Sequence, residues 1–133
     1  MSVNLDLVRS IYADWERGDF SRSDWADPDI KFERRDAVGG RWTGLAGMAQ
    51  GWRDWLRTWE DFRIAEVEEY RELDDERVLV LNGFTGRGKS SGLAVEQTEP
   101  KGVSLFHIRN GKVTRLVDYA QREDALADLG LEE

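Results

Sequence analysis

The sequence predicts an α+β fold: a strongly curved, mixed and mainly antiparallel sheet forms a cone-shaped barrel on about three N-terminal and central helices, with a short C-terminal helix. Two observations carry this prediction. Apolar residues recur mainly at helical spacing up to Trp59 and at a period of two after Asp61. Helices followed by strands are typical of helices packed on one face of a sheet. The length of 133 residues fits one domain over residues 1–133.

Helical segments are predicted from apolar stripes that end at glycine, proline or turn residues. The first stripe consists of Leu5, Val8, Ile11, Tyr12 and Trp15. The second contains Met48, Trp52, Trp55 and Trp59. The predicted helices are Ser2–Arg17, a short one around Ser21–Trp25, Leu45–Trp59, and a closing helix over Arg122–Leu129.

Strands are predicted where apolar and polar residues alternate between turn signals. Asn110-Gly111 is the strongest hairpin signal in the chain. A break in the alternation predicts a bulge near Glu66–Glu68, and the glycine-rich stretch Asp36–Gly44 is predicted to be a loop. The predicted strands are Ile30–Arg34, one starting at Phe62, Val78–Phe84, Leu93–Gln97, Val103–Arg109 and Val113–Tyr119.

Composition narrows the class of function. The net charge of −8 and the pI near 4.8 argue against nucleic acid and against an anionic membrane surface as partners. The chain has no cysteine and one histidine, so we expect no metal site and no thiol chemistry. The first residues lack the features of a signal peptide, and no apolar run is long enough to span a membrane. We therefore expect a cytoplasmic protein.

The segment Gly83–Ser90 matches the phosphate-binding pattern G-x-x-x-x-G-K-[ST]. Such a loop must open a long helix, with Lys89 on the nucleotide phosphates. Here Gly92 and Pro100 leave room for about two helical turns at most. A glycine-rich hairpin turn is the favoured interpretation, and nucleotide binding is kept as an alternative.

Several local motifs together resemble a known family. They are Gly18-Asp19 after the first helix, Pro28-Asp29 before the first strand, Gly44 before the second long helix, and Asn110-Gly111-Lys112-Val113 near the end. This layout resembles the nuclear-transport-factor-like cone fold, and within it the SnoaL-like proteins. The resemblance implies a small-molecule pocket at the open end of the cone. The fold hosts isomerases, cyclases, hydratases and non-catalytic binders, so it does not by itself define a reaction.

The resemblance also supplies an alignment for site residues. The related ketosteroid isomerases use a helix-1 tyrosine, a first-strand aspartate base and a protonated aspartate. Ile11, Arg34 and Ser104 match those positions, so steroid isomerisation is not expected. The SnoaL-like cyclases resemble the chain differently, because their acid/base aspartate on the last strand matches Asp118. Their supporting histidine position matches Ser104 and not His107.

Asp118 is therefore the principal catalytic candidate, with Arg34 and Ser104 assisting it. Side-chain alternation groups Asp118 with Thr114 and Leu116 on the face that the resemblance directs into the cone. A carboxyl group among apolar neighbours suits general acid/base catalysis. The alternative is a structural ion pair between Asp118 and Arg34, since buried charges are usually paired.

Aromatic and apolar residues are the candidates for the pocket wall. Plain core packing is the alternative for each of them, and Trp42, placed in the predicted loop, is the best candidate for a rim residue. The predicted pocket residues are Tyr12, Trp15, Phe32, Trp42, Trp55, Trp59, Phe106 and Leu116.

The outer face of the sheet is predicted to form a homodimer interface. Alternation places His107 on this face, along with the apolar residues Val103, Leu105, Val113, Val117 and Tyr119. Besides nucleotide binding through Gly83–Ser90, the sequence leaves two functions open. One is a cofactor-free isomerase, cyclase or hydratase for a small hydrophobic molecule, and the other is a non-catalytic binding or interaction module.

Overall fold

The computed structural model describes residues 3–17, 19, 24–35, 40–57, 59–88, 101–119 and 122–130. In chain order the elements are α1 (Val3–Glu16), β1 (Ala26–Arg35), β2 (Gly40–Thr43), α2 (Gly44–Arg57), β3 (Trp59–Asp74), β4 (Arg77–Gly88), β5 (Lys101–Arg109), β6 (Lys112–Tyr119) and α3 (Arg122–Leu129). The predicted strand Leu93–Gln97 and most of the predicted short helix at Ser21–Trp25 lie outside the described residues.

The described strands form a six-stranded sheet in the order β2-β1-β6-β5-β4-β3. β1 pairs with β6 in parallel, and every other pairing is antiparallel. β2 and β3 lie at opposite edges, so the described sheet is open. The predicted α+β class with a mixed, mainly antiparallel sheet is confirmed.

Each face of the sheet is covered by helices. On the inner face α1 and α2 pack on a large apolar cluster, whose buried members include Val8, Trp15, Ile30, Phe32, Val80, Phe106 and Leu116. On the outer face α3 packs by Ala125 and Leu126 on a second cluster. Its strand residues are Leu79, Leu81, Val103, Leu105, Val117 and Tyr119.

The outer cluster removes one reason for predicting a dimer, because apolar residues of the outer face are already buried. Leu105, Val117 and Tyr119 are buried within a single chain because α3 covers them. The sequence pattern predicts Val113 on this face, and that prediction is wrong: the register shifts between His107 and Ile108, so Val113 pairs with Ile108 and packs in the inner core. The described face no longer needs a partner to cover exposed apolar surface, and homodimerisation stays a prediction.

Two element assignments also need correction. The predicted loop Asp36–Gly44 contains the short strand β2, which pairs with β1 from Gly40 onward. The predicted helix Leu45–Trp59 ends earlier, because α2 stops at Arg57 and Trp59 already pairs with Gly88 as the first residue of β3. The apolar residue Trp59 fits either period, so the sequence pattern alone extended the helix too far.

Other local predictions are confirmed. The β3–β4 register shifts on both sides of Val67, which is the predicted bulge. Asn110 and Gly111 have φ angles of 53° and 75°, as a tight hairpin of this kind requires.

The hairpin turn predicted for the motif Gly83–Ser90 is wrong for its described residues, because Gly83–Gly88 continue β4 in antiparallel pairing, and the last two residues lie outside the described part. A strand running through the motif does not form the turn into a helix that a phosphate-binding loop needs.

Candidate functional site

The strand register places the three predicted catalytic residues in one row. Arg34 on β1 lies directly opposite Asp118 on β6, and Asp118 lies directly opposite Ser104 on β5. Their neighbours Phe32, Leu116 and Phe106, two positions along each strand, are buried in the inner core. Since side chains alternate along a strand, the row Arg34, Asp118 and Ser104 also belongs to the inner face. The structure therefore brings these residues together as predicted.

Ser104 holds the carboxylate of Asp118. The Ser104 Oγ atom donates a hydrogen bond of 2.7 Å to Oδ1 of Asp118. Ser104 is buried, whereas Asp118 keeps partial exposure to solvent. A hydrogen bond to an ionised carboxylate is stronger than one between neutral groups, so this contact fixes the orientation of the acid. The carboxylate is thus both anchored and accessible.

Tyr12 of α1 completes the polar cluster. Its ring is 1% exposed, and its hydroxyl donates a long hydrogen bond of 3.5 Å to Oδ1 of Asn82 on β4. Burial raises the pKa of Tyr12 well above its usual value, the negative charge of Asp118 adds to this, and a hydrogen bond with Ser104 opposes it. Tyr12 is therefore a neutral phenol, able to donate a hydrogen bond, at any ordinary pH. We call Tyr12, Arg34, Asn82, Ser104 and Asp118 the inner polar cluster.

Sequence reasoning underestimated Tyr12. Aligning the turn after the helix placed Ile11 at the tyrosine position of the isomerases, and both residues are buried in the structure. The inward-facing stripe is wide enough to include the two neighbours, so helical spacing did not distinguish them. Asn82 also belongs to the cluster, and its alternation with the buried residues Val78 and Val80 is the sequence signal that places it on the inner face.

Arg34 lies against an aromatic wall. Its guanidinium carbon lies 5.5 Å from the centroid of the Phe32 ring and 5.9 Å from that of Trp42. The residue is only 8% exposed. Stacking on aromatic faces suits the planar guanidinium and stabilises its charge in a partly apolar site. The positive end of the cluster therefore adjoins a flat hydrophobic surface.

Trp42 packs closely against two glycines, which leave room for its ring. The indole stacks on Phe32, with ring centroids 5.3 Å apart and an angle of 28° between planes. A Cβ atom on Gly40 would lie 2.4 Å from the Trp42 ring, and one on Gly51 would lie 2.9 Å from it. Trp42 is partly buried on strand β2, not in a loop. The glycines on both sides of this tryptophan were the signal for its packed position.

The other predicted pocket residues separate into two groups. Trp15, Phe106 and Leu116 are at most 3% exposed and lie within the inner core. Trp15 contacts Tyr12 edge to face, with ring centroids 4.9 Å apart. The core aromatic residues therefore pack against a member of the inner polar cluster. The backbones of Trp55 and Trp59 lie in α2 and β3, and their side chains lie outside the described part.

His107 faces away from the inner polar cluster, as alternation predicts. It lines a groove on the outer face with Arg77 and Arg115. Burial lowers the pKa of His107, and the positive charges of Arg115 and Arg77 lower it further. Over the described residues, no group of three histidine or acidic side chains is arranged to hold a metal ion. Among the same residues, no helix is long and apolar enough to cross a membrane.

Comparison with known proteins identifies the family. The SnoaL-like domain family matches residues 8–116, which is most of the chain and includes α1 from Val8 onward, strands β1 to β5, and β6 up to Leu116. The protein therefore belongs to the SnoaL-like domain family. No curated protein matches the sequence significantly.

Solved structures share the fold over nearly the full length. An NTF2-like protein of unknown function from Burkholderia pseudomallei is 22% identical, covers 96% of this chain and 97% of its own, and has a TM-score of 0.77. TerC, co-crystallised with polyporic acid, is 22% identical, with coverages of 96% and 98% and a TM-score of 0.74. A putative polyketide cyclase from Xanthomonas campestris pv. campestris is 18% identical, with coverages of 94% and 95% and a TM-score of 0.73. At these identities the likeness shows the NTF2-like cone fold alone.

Proposed function

We propose that this protein is a cofactor-free enzyme that moves a proton on a small hydrophobic organic molecule, with Asp118 as the acid/base. The observation that carries this proposal is the 2.7 Å hydrogen bond from Ser104 to a carboxylate that remains partly exposed on the inner face. A general base needs a fixed position and access to substrate, and Asp118 has both. Isomerisation, cyclisation through a carbon nucleophile and hydration are the reactions within reach.

The proposed chemistry begins at a carbon next to a carbonyl group. The carboxylate of Asp118 accepts the proton from that carbon, and the electron pair of the C–H bond moves into an enolate. The guanidinium of Arg34 is the donor that would stabilise the enolate oxygen, and the neutral hydroxyl of Tyr12 would assist by turning its single proton from Asn82 to that oxygen. Asp118 then returns the proton to a different carbon. In a cyclisation the enolate carbon instead attacks a second carbonyl of the same molecule, the C=O π bond breaks, and the resulting alkoxide oxygen takes the proton back from Asp118. Neither outcome transfers electrons to an external acceptor.

The aromatic wall favours a flat, apolar substrate. Trp42, which is partly exposed, stacks on the buried ring of Phe32 beside Arg34, close to the acid/base row. The descriptions of two structural relatives agree with a small organic ligand. One is described as a putative polyketide cyclase, and the other was crystallised with polyporic acid. They support a small organic ligand and leave its identity to experiment.

A non-catalytic binding module is the second candidate, and one observation favours it. Arg34 and Asp118 occupy directly opposite positions on neighbouring strands, which is also the arrangement of a structural ion pair. Homodimerisation through the outer face and a cytoplasmic location stay predictions. Light scattering tests the first, and a monomer would contradict it.

The test is proton exchange into candidate substrates. The protein would be incubated in D2O with a panel of polycyclic and aryl ketones, and deuterium at the α-carbon followed by NMR. We expect Asp118→Asn to lower the exchange rate about 100-fold or more while ligand affinity changes by less than about threefold. Asp54→Asn, which changes a half-exposed carboxylate on α2, is the matched control and should leave both unchanged. Binding with no exchange above background in the wild type would identify a binding module.

A further inference from the structure

Basic side chains form a second row on the opposite face of the sheet. Arg77 on β4 lies directly opposite His107 on β5, and His107 lies directly opposite Arg115 on β6. Adjacent strands are about 4.8 Å apart, so the two arginines flank the histidine at roughly 10 Å from each other. The protein has a net charge of −8, so such a row is unusual for its surface.

This row lines a groove of about 230 Å³. Arg35 and Tyr119 close one end, and the edge of α3 contributes Leu129 and the carboxylate of Asp128. The floor is apolar, because Leu105 and Val117 belong to the buried outer cluster. The groove is therefore a small cavity with an apolar base and guanidinium groups around it. Its volume is below the usual range for drug-sized ligands and suits a smaller molecule.

Carboxylates next to the groove hold the guanidinium groups in place. Glu33, whose side chain is 9% exposed, accepts hydrogen bonds from Arg35 Nε at 3.1 Å and from Arg115 Nη2 at 2.7 Å. Arg77 is held by Asp74 through its Nε atom at 2.8 Å. Arg35 also contacts Asp128 on α3. Each guanidinium carries five N–H donors, so these contacts fix the groups and leave donors directed elsewhere.

We infer that the groove is a binding site for a small organic carboxylate, whose carboxyl group lies between Arg77 and Arg115 over His107 and whose apolar body rests on Leu105 and Val117. Guanidinium groups recognise carboxylates through paired hydrogen bonds. The apolar floor favours a carboxylate with an aryl or short alkyl body over an inorganic anion. This site lies on the outer face and is independent of the function proposed for the inner polar cluster.

His107 provides a direct readout, since it is the only histidine in the chain. Four charged groups act on it: Arg115 and Arg77 lower its pKa, and Asp74 and Glu76 raise it, with burial as the largest influence. A bound carboxylate would add negative charge beside the ring and raise this pKa. The imidazole NMR signals therefore report both occupancy and the sign of the charge that binds.

The experiment titrates the intact protein with benzoate at constant ionic strength and follows the His107 signals. We expect a saturable shift, a higher pKa for His107 in the bound state, and binding at least about tenfold weaker in Arg77→Gln and in Arg115→Gln. Arg57→Gln is the matched control, because Arg57 is an exposed arginine paired to an aspartate three residues earlier, as Arg77 is. It should change the dissociation constant by less than about twofold.

Three results would overturn the inference. One is a linear, unsaturable shift that sodium chloride reproduces, which would mean screening alone. Another is binding of inorganic phosphate as tight as that of benzoate, which would remove the role of the apolar floor. The third is a light-scattering dimer whose His107 does not respond to benzoate, which would make the groove part of an interface. Arg77→Gln keeps the test decisive if Arg115→Gln fails to fold, because Arg77 does not contact Glu33.

Discussion

Ser104 and Asp118 face each other on neighbouring strands, and the serine hydroxyl donates a 2.7 Å hydrogen bond to the aspartate carboxylate. The pair lies on the inner face, within reach of the buried phenol of Tyr12. One oxygen of the carboxylate is thereby oriented, and the group as a whole remains partly exposed. In the proposed function this geometry would separate the two tasks of a general base, because Ser104 would position the carboxylate and Asp118 would accept the proton.

Replacing Ser104 by Ala should impair catalysis more than binding. The Asp118 carboxylate would lose its oriented donor, and we expect the exchange rate to fall about tenfold with ligand affinity within about twofold. Loss of a hydrogen bond to a charged group should cost about 1.5–3 kcal/mol of stability. Thr114→Ala is the control, since Thr114 donates to the backbone oxygen of His107 and not to Asp118. A Ser104→Thr variant that fails to restore the rate would contradict a positioning role for the hydroxyl.

The buried phenol of Tyr12 predicts a loss of stability at alkaline pH. Its pKa is raised in the folded protein, so its contribution is fully present below about pH 10 and is lost as the pH rises through the folded pKa. Tyr12→Phe removes this titration, whereas Tyr70 and Tyr119 remain in both proteins. We therefore expect the free-energy difference between wild type and Tyr12→Phe to change in favour of the variant above pH 10. Urea unfolding at pH 8 and pH 11 measures it, and a constant difference would show that Tyr12 titrates normally.

The carboxylate of Glu33 predicts the opposite behaviour in acid. Burial raises its pKa, but hydrogen bonds from Arg115 and Arg35 lower it more, and the net pKa lies below its usual value. Its contribution is therefore present above about pH 4.5 and is lost as the pH falls through the folded pKa.

At pH 7, Glu33→Gln should lower stability by about 1–3 kcal/mol, a modest figure because its arginine partners are partly exposed and screened. Thermal melts at pH 7 and pH 3.5 should show a large difference at the higher pH and a smaller one in acid. Glu69→Gln, which breaks an exposed pair with Arg71, should change stability by less than about 1 kcal/mol. Equal effects of the two substitutions would contradict a special role for Glu33.

Two glycines on α2 should respond in opposite ways to alanine. A Cβ on Gly51 would lie 2.9 Å from both the Phe32 and Trp42 rings, so Gly51→Ala should destabilise the protein by about 1–3 kcal/mol despite the better helix propensity of alanine. A Cβ on Gly47 would lie 3.4 Å from the Cβ of Trp42, a contact that small movements relieve. Gly47→Ala should be neutral or stabilising by up to about 1 kcal/mol. Denaturant midpoints compare them, and an undiminished midpoint in Gly51→Ala would mean that Trp42 is not packed as described.

Local patterns predicted most of the fold. The bulge at Val67, the Asn110-Gly111 hairpin and the closing helix before Gly130 are each specified by a few adjacent residues, and the structure contains them. The sequence pattern does not predict strand β2, because the strand has only four residues and is flanked by glycine. It is stabilised by pairing with β1, and no local sequence pattern reveals that pairing. Trp59 was assigned to the helix because an apolar residue at an element boundary fits both periods.

The positions of the candidate site residues could be predicted from the sequence for those that lie on strands, because side-chain alternation determines which face of the sheet each one occupies. Alternation and the family resemblance placed Arg34, Ser104 and Asp118 on one face, and the register confirms that they are neighbours. The contribution of Tyr12 depends on how α1 crosses the sheet, which is a property of tertiary packing and not of helical spacing. Tertiary packing also determines how α3 covers the outer face. Ala125 and Leu126 of α3 are distant in sequence from several of the strand residues in the cluster they join, so local patterns do not predict the contact.

Whether Asp118 serves chemistry or stability is tested most directly by the melting temperature of Asp118→Asn beside that of the wild type at pH 7. Asparagine keeps an Oδ1 acceptor for the Ser104 hydroxyl, removes the charge and replaces the second carboxylate oxygen with an amide NH2 group of similar size. An acid/base held in a pocket predicts an unchanged or higher melting temperature, because functional groups are commonly kept at the expense of stability. A structural pair with Arg34 predicts a loss of about 3–5 kcal/mol, or a drop of roughly 10 °C or more, and that result would contradict the catalytic role proposed for Asp118.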